Sequence, residues 1–311
     1  AEEIHALGLS EVARLRNEMT ALKEKVGFEG DLDAFLRFIN TDARFTYPNT
    51  DEGRQAYIDE ATRHIENLKK ELPNYFGLLP KADLVVRRVE AFREQPGAAQ
   101  HYYPGSPDGS RAGIYYAHLS DMSAMPKPEL EVIAYHEGLP GHHMQISIAQ
   151  ELTGIPKFRT QFRSTVYSEG WGLYSEWLAR EMPGAYQDPY SEFGRLSSEM
   201  WRAIRLVVDT GLHSKGWTEE QAVEYFASNS AVPLTAIRSE IRRYLVYPGQ
   251  ATAYKIGQIR MQELRRHAEA ELGEKFDIRA FHDSLLGGGA LPLELLERRV
   301  NGWINSVKDA N

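Results

Sequence analysis

The sequence predicts a mainly α-helical protein with one small β-sheet, and three observations carry that prediction. Helix start signals recur through the first 80 residues, each followed by apolar residues at helical spacing. Between 81 and 125 the texture changes to β-branched and aromatic runs around a cluster of Pro, Gly, Ser and Asp. From Pro128, suited to the first turn of a helix, the pattern is almost wholly helical again. This divides the chain into a helical scaffold (1–80), a small sheet (81–125) and a helical part (126–311), within a single catalytic domain or the C-terminal portion of one.

In chain order, Ser10 is a good N-cap for a helix reaching about Val26, where Gly27 stops it. Asp31 opens a second helix with Leu32, Phe35, Leu36, Phe38 and Ile39 on its apolar side, and Thr50-Asp51 cap a third that ends before Pro73. Asp83–Val89 and Ala112–His118 read as strands on either side of the turn cluster Tyr103–Ser110. An exposed edge strand here would bind an extended peptide through its main chain, which makes Tyr116 a candidate substrate-binding residue. The alternative is a hairpin that caps the core.

The helix from Pro128 leads into the densest stretch of the chain, Tyr135–Gln145, and another helix spans about Phe158 to Glu181. Arg202–His213 is an apolar helical run with Arg205, Asp209 and His213 on one stripe. Buried charges need partners, so this row reads as a supporting network and not as a site. Thr218–Gln221 is a capping box. At Tyr247-Pro248-Gly249-Gln250 a Pro-Gly break precedes a new helix with Tyr254 in its first turns; tyrosine hydroxyls there could donate to an oxyanion, or the rings could simply pack a corner. Phe281–Gly289 and Leu291-Pro292-Leu293 close the chain as helix around a glycine turn.

Composition narrows the partners. With 311 residues, 42% of them hydrophobic, the chain can bury a substantial core. A formal charge of −8 argues against nucleic acid or an anionic membrane surface. No apolar run is long enough to span a bilayer, and no signal peptide is visible at Ala1-Glu2-Glu3, so the compartment stays open and an upstream segment is expected to be missing. Cysteine is absent, so a metal would have to be held by His and carboxylates.

The chemistry concentrates in His136-Glu137-Gly138-Leu139-Pro140-Gly141-His142-His143. Neutral imidazole is a common zinc ligand, and a Glu beside a ligand His is well placed to deprotonate a water on the metal. Zincin motifs put their two His four apart on one helix face, whereas here the second stands six (His142) or seven (His143) residues after His136. An unbroken helix would favour His143, but would spread the pair by about 10.5 Å along its axis. A bulge at Gly138-Leu139-Pro140 favours His142 and explains Pro140, which cannot donate to the carbonyl of His136. His142 is therefore expected on the metal and His143 turned towards substrate or towards a carboxylate behind the ligands. On the following helix Glu169 and Glu176 share a face; Glu169 is favoured as the third ligand and Glu176 as an orienting partner behind a His.

These motifs, with Glu169-Gly170-Trp171-Gly172, Arg205–His213 and Tyr247–Ala251, resemble the bacterial domain-of-unknown-function family 885, placed among zincin-like peptidases. More distantly the layout is similar to the helical gluzincins of the thimet oligopeptidase, angiotensin-converting enzyme and carboxypeptidase Taq type. The resemblance implies that fold class, with His136, His142 and Glu169 holding zinc, Glu137 as base, Tyr254 as oxyanion donor and Gln250 among the substrate-binding residues. The expected function is a zinc-dependent hydrolase, a metallopeptidase acting on peptides. Alternatives are a peptide- or partner-binding module with a vestigial metal site, and a zinc amidase or esterase with a small-molecule substrate.

Overall fold

The computed structural model describes residues 1–94 and 98–310. Helices α1 (Glu2–Lys25), α2 (Leu32–Thr41) and α3 (Asp51–Lys69) come first. Asp31 caps α2 at the Ala34 N–H and Thr50 caps α3 at the Gly53 N–H, as their sequence signals predict. Helix α1 begins at Glu2, however, and Ser10 lies exposed within it. Glu2 and Glu3 favour the positive end of the helix, Ala6 and Leu7 are strong helix formers, and the His5 Nδ1 meets the Thr210 hydroxyl at 2.8 Å. Packing of the first turns outweighs the capping preference of Ser10.

After the short α4 (Leu72–Tyr75) come strands β1 (Leu84–Arg88), β2 (His101–Tyr103) and β3 (Gly113–Ala117), in the order β1-β3-β2. The two expected strands are present but pair in parallel, and the connection between them supplies β2, which runs antiparallel to β3. They therefore form no hairpin, and Tyr116 sits on the central strand instead of an exposed edge. Parallel pairing needs a crossover, and the long turn-rich connection provides one. Tyr115 faces the core and meets the Tyr57 hydroxyl at 2.9 Å, while Tyr116 on the opposite face stacks on His101.

The rest is helical: α5 (Lys127–Glu137), α6 (His142–Glu151), α7 (Lys157–Gln161), α8 (Thr165–Leu178), α9 (Pro189–Ser214), α10 (Glu219–Asn229), α11 (Leu234–Val246), α12 (Ala253–Leu272), α13 (Ile278–Leu286) and α14 (Leu293–Asp309). The helix expected over 158–181 is interrupted, since Phe162 and Ser164 are extended between α7 and α8. Weak helix formers crowd that stretch, and Arg159 ties α7 to the Gly288 and Ala290 carbonyls.

Two apolar cores organise the helices. One lies under α3, the sheet, α5, α8 and α12–α14, and the other joins α1 and α2 to α9–α11. The N-terminal helices thus share a core with helices from the far end of the chain. Helices α8 and α12 cross at Gly170 and Gly257, where a Cβ on either would lie 2.5 Å from the other's backbone. That close approach fixes α8, which carries Glu169 and Glu176.

Candidate metal centre

Helix α5 ends at His136-Glu137 and α6 starts at His142, with Gly138 and Gly141 flanking Leu139-Pro140 between them. A Cβ on Gly141 would fall 1.9 Å from the His136 carbonyl oxygen, and one on Gly138 2.6 Å from that of Ala134, so neither position accepts a side chain. Helix α8 tends the carbonyls at the break: the Trp171 indole N–H donates to the Pro140 oxygen at 2.9 Å. The expected bulge within one helix is therefore a complete break into two.

The break brings His142 beside His136, with ring centroids 4.6 Å apart and planes at 88°. Glu169, from the second turn of α8, closes the group. One donor atom from each of His136, His142 and Glu169 lies within 4.8 Å of the others. Glu169 Oε2 is 3.6 Å from His136 Nε2 and 3.4 Å from His142 Nε2. Those separations exceed ordinary N–H···O hydrogen bonds of about 2.7–3.2 Å. They match the edge of about 3.3 Å that a tetrahedral ion with ligand bonds of about 2.0–2.1 Å would impose. Two imidazoles and a carboxylate are also a donor set that zinc accepts, so the residues present fit that ion.

His136 is held from both sides. A Cβ on Gly172 would lie 2.6 Å from its Cε1, so the ring rests directly on the α8 backbone. Its Nδ1 donates to Glu176 Oε1 at 2.6 Å, the orienting contact expected of Glu176. Burial disfavours the imidazolium, but the Glu169 and Glu176 carboxylates outweigh it and push the pKa up to about 10. Burial likewise works against the Glu169 charge, yet the two imidazoles hold that carboxyl well below its usual range. Glu137 goes the other way: burial raises its pKa, only partly offset by His142 and His136.

The remaining candidates are placed as follows. His143 is buried, with Nε2 3.0 Å from the Ala82 carbonyl and Nδ1 3.0 Å from the Tyr102 hydroxyl. Burial lowers its pKa to about 4, so it is a neutral strut between α6 and the sheet, and the expectation that it faces substrate is corrected. Gln250 accepts from Arg243 at 2.7 Å. The Tyr254 ring lies under the Arg205 guanidinium, 4.4 Å from its centroid, with Arg202 on the same ring at 5.9 Å. The stripe on α9 finds partners on α11 and its turn: Arg205 binds Tyr244 and Glu240, Asp209 accepts from the Gly249 N–H, and His213 meets the Tyr244 carbonyl. Sequence reasoning missed Ser198 and Arg202, which meet Glu176 from behind. Neither type is distinctive on a helix, and no local pattern marks them.

Residues 1–300 match the family described as "Bacterial protein of unknown function (DUF885)". The fold is similar to a crystal structure described as "the putative lipoprotein from Colwellia psychrerythraea", with a TM-score of 0.94 and 37% identity over 98% of this chain and 52% of that one. It is also similar to "a putative lipoprotein of unknown function from Shewanella oneidensis", with a TM-score of 0.79 and 22% identity over 96% of this chain and 56% of that one. The chain thus spans about half the length of these relatives. No curated protein matches it. On the match over nearly its whole length, the chain belongs to the bacterial family of unknown function DUF885.

Proposed function

We propose that this protein is a zinc-dependent hydrolase acting as a metallopeptidase of zincin-like, gluzincin type. The observation that supports it most is the convergence of His136, His142 and Glu169 at ligand spacing beside Glu137. His136 and His142 would bind through Nε2 and Glu169 through Oε2. Bound there, zinc would supply Lewis acidity, polarising the scissile carbonyl and lowering the pKa of water to about 7. Glu137 takes the proton of the attacking water and passes it to the leaving amine, a task suited to a carboxyl whose pKa burial has raised. Glu176 holds a proton on His136 Nδ1, so that Nε2 is the nitrogen that would give up its proton to bind the metal. Tyr254 is assigned as donor to the oxyanion. An extended peptide would add to the outer edge of β2, which lies at the rim of the sheet, with Gln250 as a further substrate contact.

The test is zinc content and hydrolysis of a peptide library by the wild type and Glu137→Gln. The expected result is one zinc per chain in both, with the rate of the variant down about 10²–10⁴-fold, as for loss of a general base. A variant with zinc and full activity refutes the mechanism. Zinc with turnover of small amides or esters alone would make the protein an amidase or esterase. Peptide binding without zinc would make it a binding module.

A further inference from the structure

The contacts behind Glu176 form a chain with one direction. Arg202 Nη1 donates to the Ser198 hydroxyl at 2.6 Å, and that hydroxyl donates to Glu176 Oε2 at 2.8 Å. The other carboxylate oxygen, Oε1, receives His136 Nδ1–H at 2.6 Å and has Arg202 Nη2 at 3.8 Å. Ser198 and Arg202 stand four residues apart on α9, so they share a face by helix geometry alone. Glu176 and Ser198 are both buried, which keeps water from substituting for either, while Arg202 at the head of the chain is half-buried.

A guanidinium has donors and no acceptor. A serine hydroxyl that accepts from it has its single proton left to give, and the carboxylate is the acceptor in reach. Ionised, that carboxylate only accepts, so the proton between it and His136 belongs to Nδ1. The arginine at the head therefore sets the sense of every bond down to the imidazole. We propose that Ser198 and Arg202 are positioning residues of the metal centre, which lock Glu176 as acceptor and so keep a proton on His136 Nδ1 and leave Nε2, on the side of His142 and Glu169, as the nitrogen that binds the metal. This rests on the metal-site reading above and extends it to two residues on a helix that contributes no ligand.

Partners of a ligand histidine typically set metal affinity by 10–100-fold. The experiment measures the zinc dissociation constant by competition with a chelating dye for the wild type, Ser198→Ala, Glu176→Gln and the double variant, beside thermal unfolding of each metal-free protein. Ser198→Ala is expected to bind zinc about tenfold more weakly, and the double variant no more weakly than Glu176→Gln, because the serine acts through the carboxylate. A residue that merely packs α9 would lower the unfolding temperature without moving the zinc constant. Ser198→Thr and Ser198→Val, alike in shape and differing in the hydroxyl, repeat the comparison should the alanine variant fail to fold; the threonine form is expected to bind more tightly. Unchanged affinity in Ser198→Ala, equal affinity of the threonine and valine forms, or losses that add in full in the double variant would overturn the proposal. Zinc binding by the wild type is read separately, and a wild type that takes up none overturns both this and the metal site.

Discussion

His142 and His143 are neighbours in sequence with opposite surroundings. The first shares Glu169 with His136, while the second spends both ring nitrogens on Ala82 and Tyr102. His142→Ala should abolish stoichiometric zinc uptake with little change in the stability of the metal-free protein. His143→Ala should keep zinc and lower stability by roughly 1–3 kcal/mol, the cost of leaving buried partners unpaired. Calorimetry and metal analysis of the two variants separate these outcomes, and zinc loss from the His143 variant alone would reverse the ligand assignment. Gly172 offers a second check at this scale. An added methyl there must displace the His136 ring, so Gly172→Ala should weaken zinc binding while α8 itself gains helix propensity.

Among the elements, the break between α5 and α6 decides the site. Gly138, Pro140 and Gly141 announce an interruption in the sequence, because none of them suits a helix interior. Its extent was not legible, since it depends on Trp171 and Ser175 of another helix donating to the Pro140 carbonyl. Gly141→Ala sets a Cβ against the His136 carbonyl and should cost roughly 3 kcal/mol, at the upper end for overpacking, together with loss of metal binding. Denaturant unfolding measures the first and dye competition the second; a variant as stable as wild type would mean that the turn tolerates a side chain. The sheet carries a similar lesson. Strands β1 and β3 were legible from β-branched and aromatic runs, whereas three-residue β2 and the parallel pairing were not.

In the whole molecule, buried charges stitch distant parts of the chain together. Lys255 of α12 meets Glu199 of α9 at 2.6 Å and Glu11 of α1 at 2.9 Å, and Glu199 also receives Arg14 and Arg195. Lys255→Met leaves Glu199 with Arg14 and Arg195 and Glu11 with Arg14, but removes two charged hydrogen bonds, so denaturant unfolding should show a loss of roughly 1.5–3 kcal/mol. A second whole-molecule effect is acid lability. Burial works against the Glu240 charge, but its contacts to Arg243 and Arg205 prevail and lower its pKa from 4.5 to about 2. A depressed carboxylate stabilises the fold fully above its unfolded value, and that contribution fades as pH falls from 4.5 towards 2. Burial depresses His282 from 6.5 to about 3, so proton uptake by the unfolded chain begins to erode stability already below pH 6.5. Unfolding temperatures should therefore drop from pH 6.5 downwards, and Glu240→Gln should flatten the part below pH 4.5. A variant with the same acid slope as wild type would remove Glu240 from the cause.

By itself the sequence determined the helical class, the caps of α2 and α3, two of the three strands and the three residues, His136, His142 and Glu169, that meet in one group. The caps, the periodicity and the His136–His142 stretch follow from local chemistry, whereas Glu169, 27 residues beyond His142, was expected from its place on the following helix. Tertiary structure alone decided the start of α1, the split of α7 from α8, the central place of Tyr116, the burial of His143 and the support of Glu176 by Ser198 and Arg202. Those depend on residues far apart in sequence arriving at one point, where packing and buried hydrogen bonds outweigh local preference by more than any capping residue or propensity contributes.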